Sequence, residues 1–434
     1  MTRFESLKFS PEKIVEKLCV FLLALMFISK ISLKYLKVPG NFSYFIFQHG
    51  LHPFINFGLN FFVGGLILFY FIRRAREHKF KHQYIFLLII AAFVLLIQTL
   101  FQIAYVHPMN SWVMQIGGLV IALALILIYG VMIPDIFTVE KFVKTIRSIS
   151  VPLVVISVCL LPIFNIQLFR GGRFIGIFKH IPHMVSASTF AFIFYFPQIF
   201  NREIHLLKRY LTLAILFIAV FLTATKAAMI TVLIVSGIGV LTFGRKDKNT
   251  RIFKFVFVFL VGLFILLFGA PLTTFLYEVA SGQTGFLMRP AQDGIATRME
   301  EVTRGIQMFM QQPNFGQGIL YKFMSNSGIN VGGYNSFKDP HNIFVSAGVI
   351  GGWPFMVIVT IGFLLMIVGS IRGILKGDEN TKVVGIFLLS HIPVFVIYHV
   401  HLSLGGMGDR MYWLIFGYLA LKVGSRKKNT LIRN

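Results

Sequence analysis

The chain has 434 residues, of which 56% are hydrophobic and only 13% are charged, and its formal net charge is +25. A mean hydropathy of +0.78 excludes an ordinary soluble domain. The positive charge lies in short clusters between apolar segments, so it indicates membrane topology rather than nucleic-acid binding.

Apolar segments of about twenty residues recur along the chain, and each is long enough to cross a hydrocarbon layer about 30 Å thick. The segments are continuous rather than alternating, which favours helices over strands. We therefore predict an all-α, polytopic helix bundle with about twelve transmembrane helices, forming a single membrane domain over residues 1–434. The predicted spans lie near residues 15–33, 51–72, 84–105, 112–133, 151–168, 183–200, 210–223, 227–243, 254–277, 342–369, 383–404 and 411–423.

The basic clusters assign the orientation of these spans. Every second connection is rich in lysine and arginine, from Arg73–Arg76 to Arg426–Lys428 after the last span. Because such connections stay in the cytoplasm, both termini are predicted to be cytoplasmic. The long polar loop near residues 279–341, between the ninth and tenth spans, then faces outward.

This outward loop is long enough to suggest a functional role. It ends in the sequence Asp339-Pro340-His341-Asn342, directly before the tenth span. A histidine at a span entrance can act as a base near neutral pH, and Asp339 is close enough in sequence to orient it. The alternative is that His341 is only an interfacial polar residue.

Residues 296–310 of the loop predict an amphipathic helix that ends before Pro313. Its apolar face consists of Met299, Val302, Ile306 and Phe309. Arg298 and Arg304 lie off that face, where they are available to a ligand. The alternative is a solvated ion pair between Arg298 and Glu301, which contributes little stability.

Two further outward segments are basic. Residues 170–183 contain Arg173 and the glycines Gly171 and Gly172 directly before it, a pattern that can cradle a phosphate group. Lys226 lies in a turn too short for an ordinary loop, so it faces either a partner or wet cavity, or it extends to the membrane surface. A basic pocket at this depth suits an anionic lipid headgroup.

Other polar or small residues in the spans are interpreted as structural. The glycines Gly348, Gly351 and Gly352 are predicted to permit close packing of helices. The eleventh span carries three histidines without the carboxylate or cysteine companions that a metal site needs, so we interpret them as packing residues. These histidines are His391, His399 and His401.

In the order of these motifs, and in the side of the membrane on which they are predicted to lie, the chain resembles the O-antigen ligase and polymerase superfamily of bacterial envelope proteins. The resemblance rests on Ala296-Thr297-Arg298, Pro313-Asn314-Phe315-Gly316-Gln317-Gly318, Asp339-Pro340-His341-Asn342 and Gly348-Val349-Ile350-Gly351, with weaker matches at Arg173-Phe174-Ile175-Gly176 and Thr223-Ala224-Thr225-Lys226. The chain departs from the family where members usually carry arginine, because Lys226 keeps the charge but loses the bidentate fork.

The resemblance implies a glycosyltransferase of the bacterial inner membrane whose active site faces the periplasm. Its donor would be a glycan linked to undecaprenyl pyrophosphate, its acceptor a hydroxyl of lipid A core, of another glycan or of a protein, and no cofactor or metal is implied. His341 and Arg298 would be catalytic, and Asp339 and Asn342 would orient the histidine. The implied pyrophosphate ligands are Lys226, Arg173 and Arg298.

The sequence leaves open the choice between ligase and polymerase, the acceptor, the sugar composition and the oligomeric state. An alternative from another class is a polytopic transporter or a flippase for lipid-linked oligosaccharides. Transporters tend to carry ionisable groups near the midplane and paired broken helices in two repeats. Here the charged candidates gather at the outer mouth, which favours the enzyme.

Overall fold

The computed structural model describes residues 10–32, 53–77, 85–105, 112–164, 168–170, 173–201, 203–243, 292–318, 342–397 and 407–423. The predicted ninth span, residues 254–277, lies outside these residues. In the described part of the chain nearly all ordered structure is helical, so the predicted all-α class is confirmed there.

Fourteen α-helices and one short hairpin follow one another in the described residues. They are α1 Pro11–Ile28, α2 Pro53–Glu77, α3 Ile85–Tyr105, α4 Trp112–Leu125 with a π-helical continuation Ile126–Met132, α5 Ile133–Ile136, α6 Val139–Cys159, α7 Leu161–Phe164, β1 Phe169–Arg170, β2 Arg173–Phe174, α8 Ile181–Tyr195 with a 3₁₀ turn Phe196–Phe200, α9 Leu206–Leu222, α10 Lys226–Phe243, α11 Gln292–Gln311, α12 Ile343–Lys376, α13 Glu379–Ile397 and α14 Met407–Val423.

Three of the described helical segments are long and apolar enough to cross a membrane. They are Gln115–Ile136, Val139–Phe164 and Ile343–Lys376, and shorter apolar helices occupy Gly58–Arg73, Ile89–Ala104 and Ala227–Phe243. The chain is therefore a helical membrane protein, and the count of twelve spans stays a prediction.

The fifth predicted span has the wrong start. Helix α6 begins at Val139, twelve residues before the predicted start at 151, and it carries Pro152 inside rather than at its beginning. Thr138 caps the helix by accepting a hydrogen bond from the backbone N–H of Lys141 at 3.3 Å. Its first half is amphipathic, with Phe142 and Ile146 fully buried, so basic residues on the other face do not prevent helix formation.

Helix α8 lies at the centre of the bundle. From Met184 to Tyr195 nearly every side chain is buried, as expected for a helix that is apolar on all sides. Its phenylalanines meet aromatic rings from several helices in edge-to-face geometry, including Phe190 with Phe27 of α1 and Phe194 with Phe142 of α6. The helix therefore fixes its neighbours α1, α6, α9 and α13 relative to one another.

Short connections order one end of the bundle. Because α8, α9 and α10 pack against each other and are joined by short turns, they run antiparallel in succession. The start of α8 and the turn at residues 223–225 therefore lie at the same end, and β2 contacts both α8 and α9 there. Thr231 of α10 donates to the carbonyl of Ser390 at 2.9 Å, which ties α13 to the same group of helices.

A buried polar network joins α2, the π-helical segment and α14. The Tyr129 hydroxyl donates to Asn60 Oδ1 at 2.9 Å and accepts from Arg410 Nη1 at 3.3 Å. The guanidinium also lies 5.4 Å from the centre of the Tyr129 ring, and only 1% of Arg410 is exposed. One tyrosine thus satisfies polar groups of two other helices in an apolar surrounding.

Candidate functional site

The site residues predicted from the sequence differ in how much of each the structure describes. Arg173 and Asn342 are described with their side chains, whereas only the backbone is described for Lys226 and Arg298. His341 and Asp339 lie outside the described residues. The site is therefore built from the elements that carry or directly precede these residues.

Asn342 caps helix α12. Its Oδ1 atom accepts hydrogen bonds from the backbone N–H groups of Phe344 at 2.9 Å and Val345 at 3.1 Å, and its backbone is extended. These two bonds satisfy donors that the first helical turn cannot satisfy itself. The Oδ1 atom has a structural task, and the helix that follows His341 in sequence starts at a fixed position.

The turn before Lys226 is tight and strained. Ala224 has a φ of 49°, a region that costs a residue with a Cβ about 1–2 kcal/mol. Buried hydroxyls stabilise the turn, since Thr223 donates to the carbonyl of Val220 at 2.7 Å and Thr225 to that of Thr223 at 3.1 Å. Lys226 is the first residue of α10, where the helix dipole disfavours a cation unless an anion is close.

The predicted amphipathic helix is confirmed as α11, although it begins at Gln292, four residues earlier than predicted. Its buried face differs from the prediction. Phe309 is buried as expected, but Ile306 is 45% exposed, while Gly305 and Met308 face the protein. A hydrophobicity pattern does not predict the burial of a glycine such as Gly305.

Arg304 was predicted to be available to a ligand, but it is already paired. Its guanidinium forms an ion pair with Glu300 one turn earlier on α11. Both side chains are largely exposed, so the pair contributes little stability. Arg298, whose position on α11 is described, lies nearly two turns before Arg304 on the same helix.

The segment after α11 is inserted into a break in α12. Inside α12, Gly351 and Gly352 leave the helical conformation, with φ and ψ of −137° and 21° and of 66° and −165°. Pro354 has no N–H to offer the carbonyl of Ile350, so the break leaves backbone groups without helical partners. The predicted single span beginning at 342 is thus interrupted one-quarter of the way along α12.

Residues 313–318 supply the missing partners. The N–H of Gln317 donates to the carbonyl of Val349 at 2.6 Å, and the N–H of Gly318 donates to that of Ile350 at 3.2 Å. In the opposite direction, the N–H of Trp353 donates to the carbonyl of Pro313 at 2.8 Å. Two separate motifs of the sequence are therefore one structural unit.

A glutamine from α3 completes this unit. Gln102 uses its amide to donate to the carbonyls of Phe315 at 2.5 Å and Ile350 at 2.8 Å, and it is almost fully buried. One side chain thus bridges both motifs from a third helix. The local sequence of α3 does not predict this role, because Gln102 bonds to residues that are distant in sequence.

The glycines are required by close approach, and the predicted packing against another helix is confirmed for Gly348. A Cβ on Gly352 would lie 2.6 Å from the carbonyl carbon of Asn314, and one on Gly316 would lie 2.7 Å from the backbone nitrogen of Gly351. A Cβ on Gly348 would lie 3.0 Å from the ring of Phe309 of α11. Most of these contacts are with a loop rather than with another helix.

Arg173 lies on the short hairpin before α8. Its Cα is paired with that of Arg170 across the hairpin, and both side chains are exposed. Arg170 Nη1 lies 2.7 Å from His180 Nδ1. An arginine can only donate, so Nδ1 is the acceptor and the imidazole is neutral.

The charge around His180 is uniformly positive. Burial, then Arg170, Lys179 and Lys30 together lower the pKa of His180 below its ordinary value of 6.5. Lys30, which follows α1, reaches this group because its segment forms backbone hydrogen bonds with the segment before α8.

The described residues contain no group of three or more histidines, cysteines or carboxylates that could hold a metal. His391 stacks on the ring of Phe387 with centroids 4.2 Å apart and lies 3.5 Å from the Thr189 hydroxyl. Its predicted role as a packing residue is confirmed. His399 and His401 lie outside the described residues.

A comparison with curated proteins gives no match. A scan of family models matches residues 211–360 to the family described as O-Antigen ligase. The matched range runs from α9 through Lys226, Arg298 and the inserted segment to the first half of α12, so it contains most of the residues that carry the resemblance. This match supports the resemblance of the chain to the O-antigen ligase and polymerase superfamily.

Proposed function

We propose that this protein transfers a glycan from an undecaprenyl-pyrophosphate carrier to an acceptor hydroxyl at the periplasmic face of the bacterial inner membrane. The observation that carries the proposal is the insertion of residues 313–318 into the break of α12, within the range matched to the family. This insertion links the helix that bears Arg298 to the helix that His341 directly precedes. The geometry supports a fixed spacing between an anion-binding group and a base.

In the proposed reaction, His341 takes the proton of the acceptor hydroxyl as that oxygen attacks the anomeric carbon. General-base catalysis of this kind contributes about 10²–10⁴ in rate. The bond to the pyrophosphate breaks on the opposite face of the sugar, so the anomeric configuration inverts. The carrier already holds an activated leaving group, and the reaction needs neither a nucleotide nor a metal.

Cationic side chains hold the leaving pyrophosphate and stabilise its increasing charge. Arg298 is proposed as the principal ligand because its planar fork can bind two phosphate oxygens at once. Lys226, at the positive end of α10, provides a second cation, and an anion there offsets the unfavourable interaction with the helix dipole. Arg173 is exposed at the same end of the bundle as the Lys226 turn.

The test is to replace His341 with glutamine and with alanine in the purified full-length chain. Transfer from a synthetic undecaprenyl-pyrophosphate glycan should fall by at least about 10² in both variants, whereas donor affinity should stay within about twofold. An amide can hold the hydroxyl but cannot take its proton. His205→Gln is the matched control, because His205 is exposed at the start of α9, whereas the turn before Lys226 follows the other end of that helix.

Near-normal turnover by the glutamine variant would show that His341 is not the base. Loss of donor binding in the alanine variant would instead assign His341 to the pyrophosphate site. The reaction class is tested by the lipopolysaccharide of a deletion strain. Full-length chains left on the carrier indicate a ligase for lipid A core, and single repeat units on the core indicate a polymerase.

A further inference from the structure

The inserted segment, residues 313–318, contacts the apolar helices α3 and α4 as well as α12. The ring of Phe315 lies against that of Phe101 of α3, with ring centres 5.1 Å apart. From α4, the fully buried Gln115 contacts Gly318, where an added Cβ would lie 2.6 Å from the Gln115 Oε1 atom. The inserted segment is therefore packed against three helices of the bundle.

The same segment fixes the end of α11. Gln317 Nε2 donates to the carbonyl of Met308 in α11 at 3.2 Å, and both residues are almost fully buried. The N–H of Gly316 donates to the carbonyl of Gln312, the residue that follows α11, at 2.7 Å. A displacement of the segment would therefore also move α11, the helix on which Arg298 lies.

Gln102 of α3 is the side chain that joins the segment to the break in α12. Its Nε2 atom donates to the carbonyl of Phe315 in the segment and to that of Ile350 at the break. An amide nitrogen carries two N–H groups, so these two bonds use its whole donor capacity. The carbonyl of Ile350 needs donors from outside its helix because Pro354 has no N–H. An apolar side chain of the same size could not hold the two carbonyls together.

Gln98, one turn earlier on α3, provides a contrast. It is also buried, yet in the described part of the chain its Oε1 atom has no hydrogen-bond partner. Removal of its amide breaks no bond to the segment, so the change should be nearly neutral. Two buried glutamines of one helix thus differ in the property that matters here, and they form a matched pair for an experiment.

We propose that Gln102 is a positioning residue, which holds the inserted segment in the break of α12 and so sets the position of α11 relative to the start of α12. Its effect on catalysis rests on the proposed function, because Arg298 lies on α11 and His341 directly precedes α12. Its effect on the position of α11 is independent of any reaction. Gln102 itself need not touch the substrate.

The kinetic test compares Gln102→Met, which keeps the size of the side chain and removes both donors, with Gln98→Met in purified full-length chain. The kcat for glycan transfer should fall about 10- to 100-fold in Gln102→Met, because a displacement of about 1 Å can cost about 10²-fold in rate. Donor affinity should change by less than about threefold, since the spacing of base and anion ligand is required in the transition state. Gln98→Met should keep kcat within about twofold of the wild type.

The position of α11 is measured directly by pulsed dipolar spectroscopy between two spin labels. The labels are attached at Met310→Cys on α11 and at Ile89→Cys at the opposite end of α3 from Gln102, and both positions are exposed. Exposed Cys159 is replaced by serine, and Cys19 is fully buried. The chain with Gln102 intact should give one narrow distance distribution, and Gln102→Met should give a broader one with a displaced maximum.

Gln102→Asn guards against a variant that does not fold. It keeps a buried amide that is one methylene shorter, so it should lose one of the two bonds and show a smaller effect of the same kind. If the Tm shows that Gln102→Met is unfolded, Gln102→Asn decides the question by the same two measurements.

An unchanged distance distribution in the folded Gln102 variants would overturn the inference, and so would an equal change in Gln98→Met. A broadened distribution with wild-type kcat would overturn the catalytic part, because the position of α11 would then not limit transfer. If even the wild type transfers no glycan, the proposed function fails, while the distance measurement still tests the positioning role. The two failures are therefore distinguishable.

Discussion

Replacement of Gly352 by alanine should damage the protein at a position that touches no substrate. Gly352 has φ of 66° and ψ of −165°, a conformation that essentially only glycine adopts, and forcing another residue into it costs about 1–3 kcal/mol. The new Cβ would also lie 2.6 Å from the carbonyl carbon of Asn314. Since that atom is backbone, the inserted segment has to move.

Movement of residues 313–314 breaks the hydrogen bond from the N–H of Trp353 to the carbonyl of Pro313. A hydrogen bond of this kind contributes about 1 kcal/mol, and more where a buried group is left without a partner. Added to the conformational cost, the expected loss in free energy of unfolding is roughly 3–5 kcal/mol. The displaced segment leads back to α11, so transfer activity should fall together with stability.

The assay is thermal unfolding in detergent, followed by intrinsic fluorescence, together with glycan transfer at a temperature below both transitions. We expect Tm to fall by roughly 5 °C or more. Gly362→Ala is the matched control, because Gly362 lies in the same helix and its Cβ would make an ordinary contact with Phe416 at 3.4 Å. Equal Tm and equal transfer in the two variants would refute the reasoning.

Three further predictions concern the proposed pyrophosphate ligands, the buried polar network and His180. Arg298→Lys should lower kcat/KM about 10- to 100-fold, because charge-assisted bonds contribute about 1.5–3 kcal/mol each, while Lys226→Arg should be tolerated; comparable loss at equal expression would contradict the assignment. Tyr129→Phe should lower the free energy of unfolding by about 1–3 kcal/mol by leaving buried groups without a partner, against less than about 0.5 kcal/mol for exposed Tyr210→Phe. The pKa of His180 is lowered in the folded chain, so its contribution to stability is complete above pH 6.5 and is lost as the pH falls from 6.5 towards the folded value. The difference in Tm between pH 7.5 and pH 5 should therefore be smaller in His180→Asn than in the wild type.

The elements that local patterns specify were predicted well. The amphipathic run that ends at Pro313 predicted α11, and the apolar run after Asn342 predicted α12, because both depend on neighbours a few positions apart. The order of the motifs also predicted the family, which the match to residues 211–360 confirms.

The features that the sequence did not predict depend on contacts between distant segments. The break at Gly351 and Gly352 had a local signal in the following Trp353-Pro354, but its partner, residues 313–318, could not be read from spacing. Lys30 gave no signal of its own, since its place beside Lys179 results from backbone pairing across most of the first half of the chain. The start of helix α6 was also wrong, because the fifth span was predicted to begin near residue 151, whereas the helix begins at Val139 and carries Pro152 inside.

The break in α12 also bears on the transporter alternative. In transporters, unwound backbone at a broken helix binds the substrate or coupling ion, so its polar groups face a cavity. Here the carbonyls of Val349 and Ile350 and the N–H of Trp353 are bonded to residues of the same chain. A substrate would have to displace residues 313–318 to reach them. The break therefore binds the segment that follows α11. A loop held in one position is more consistent with fixed catalytic spacing than with alternating access.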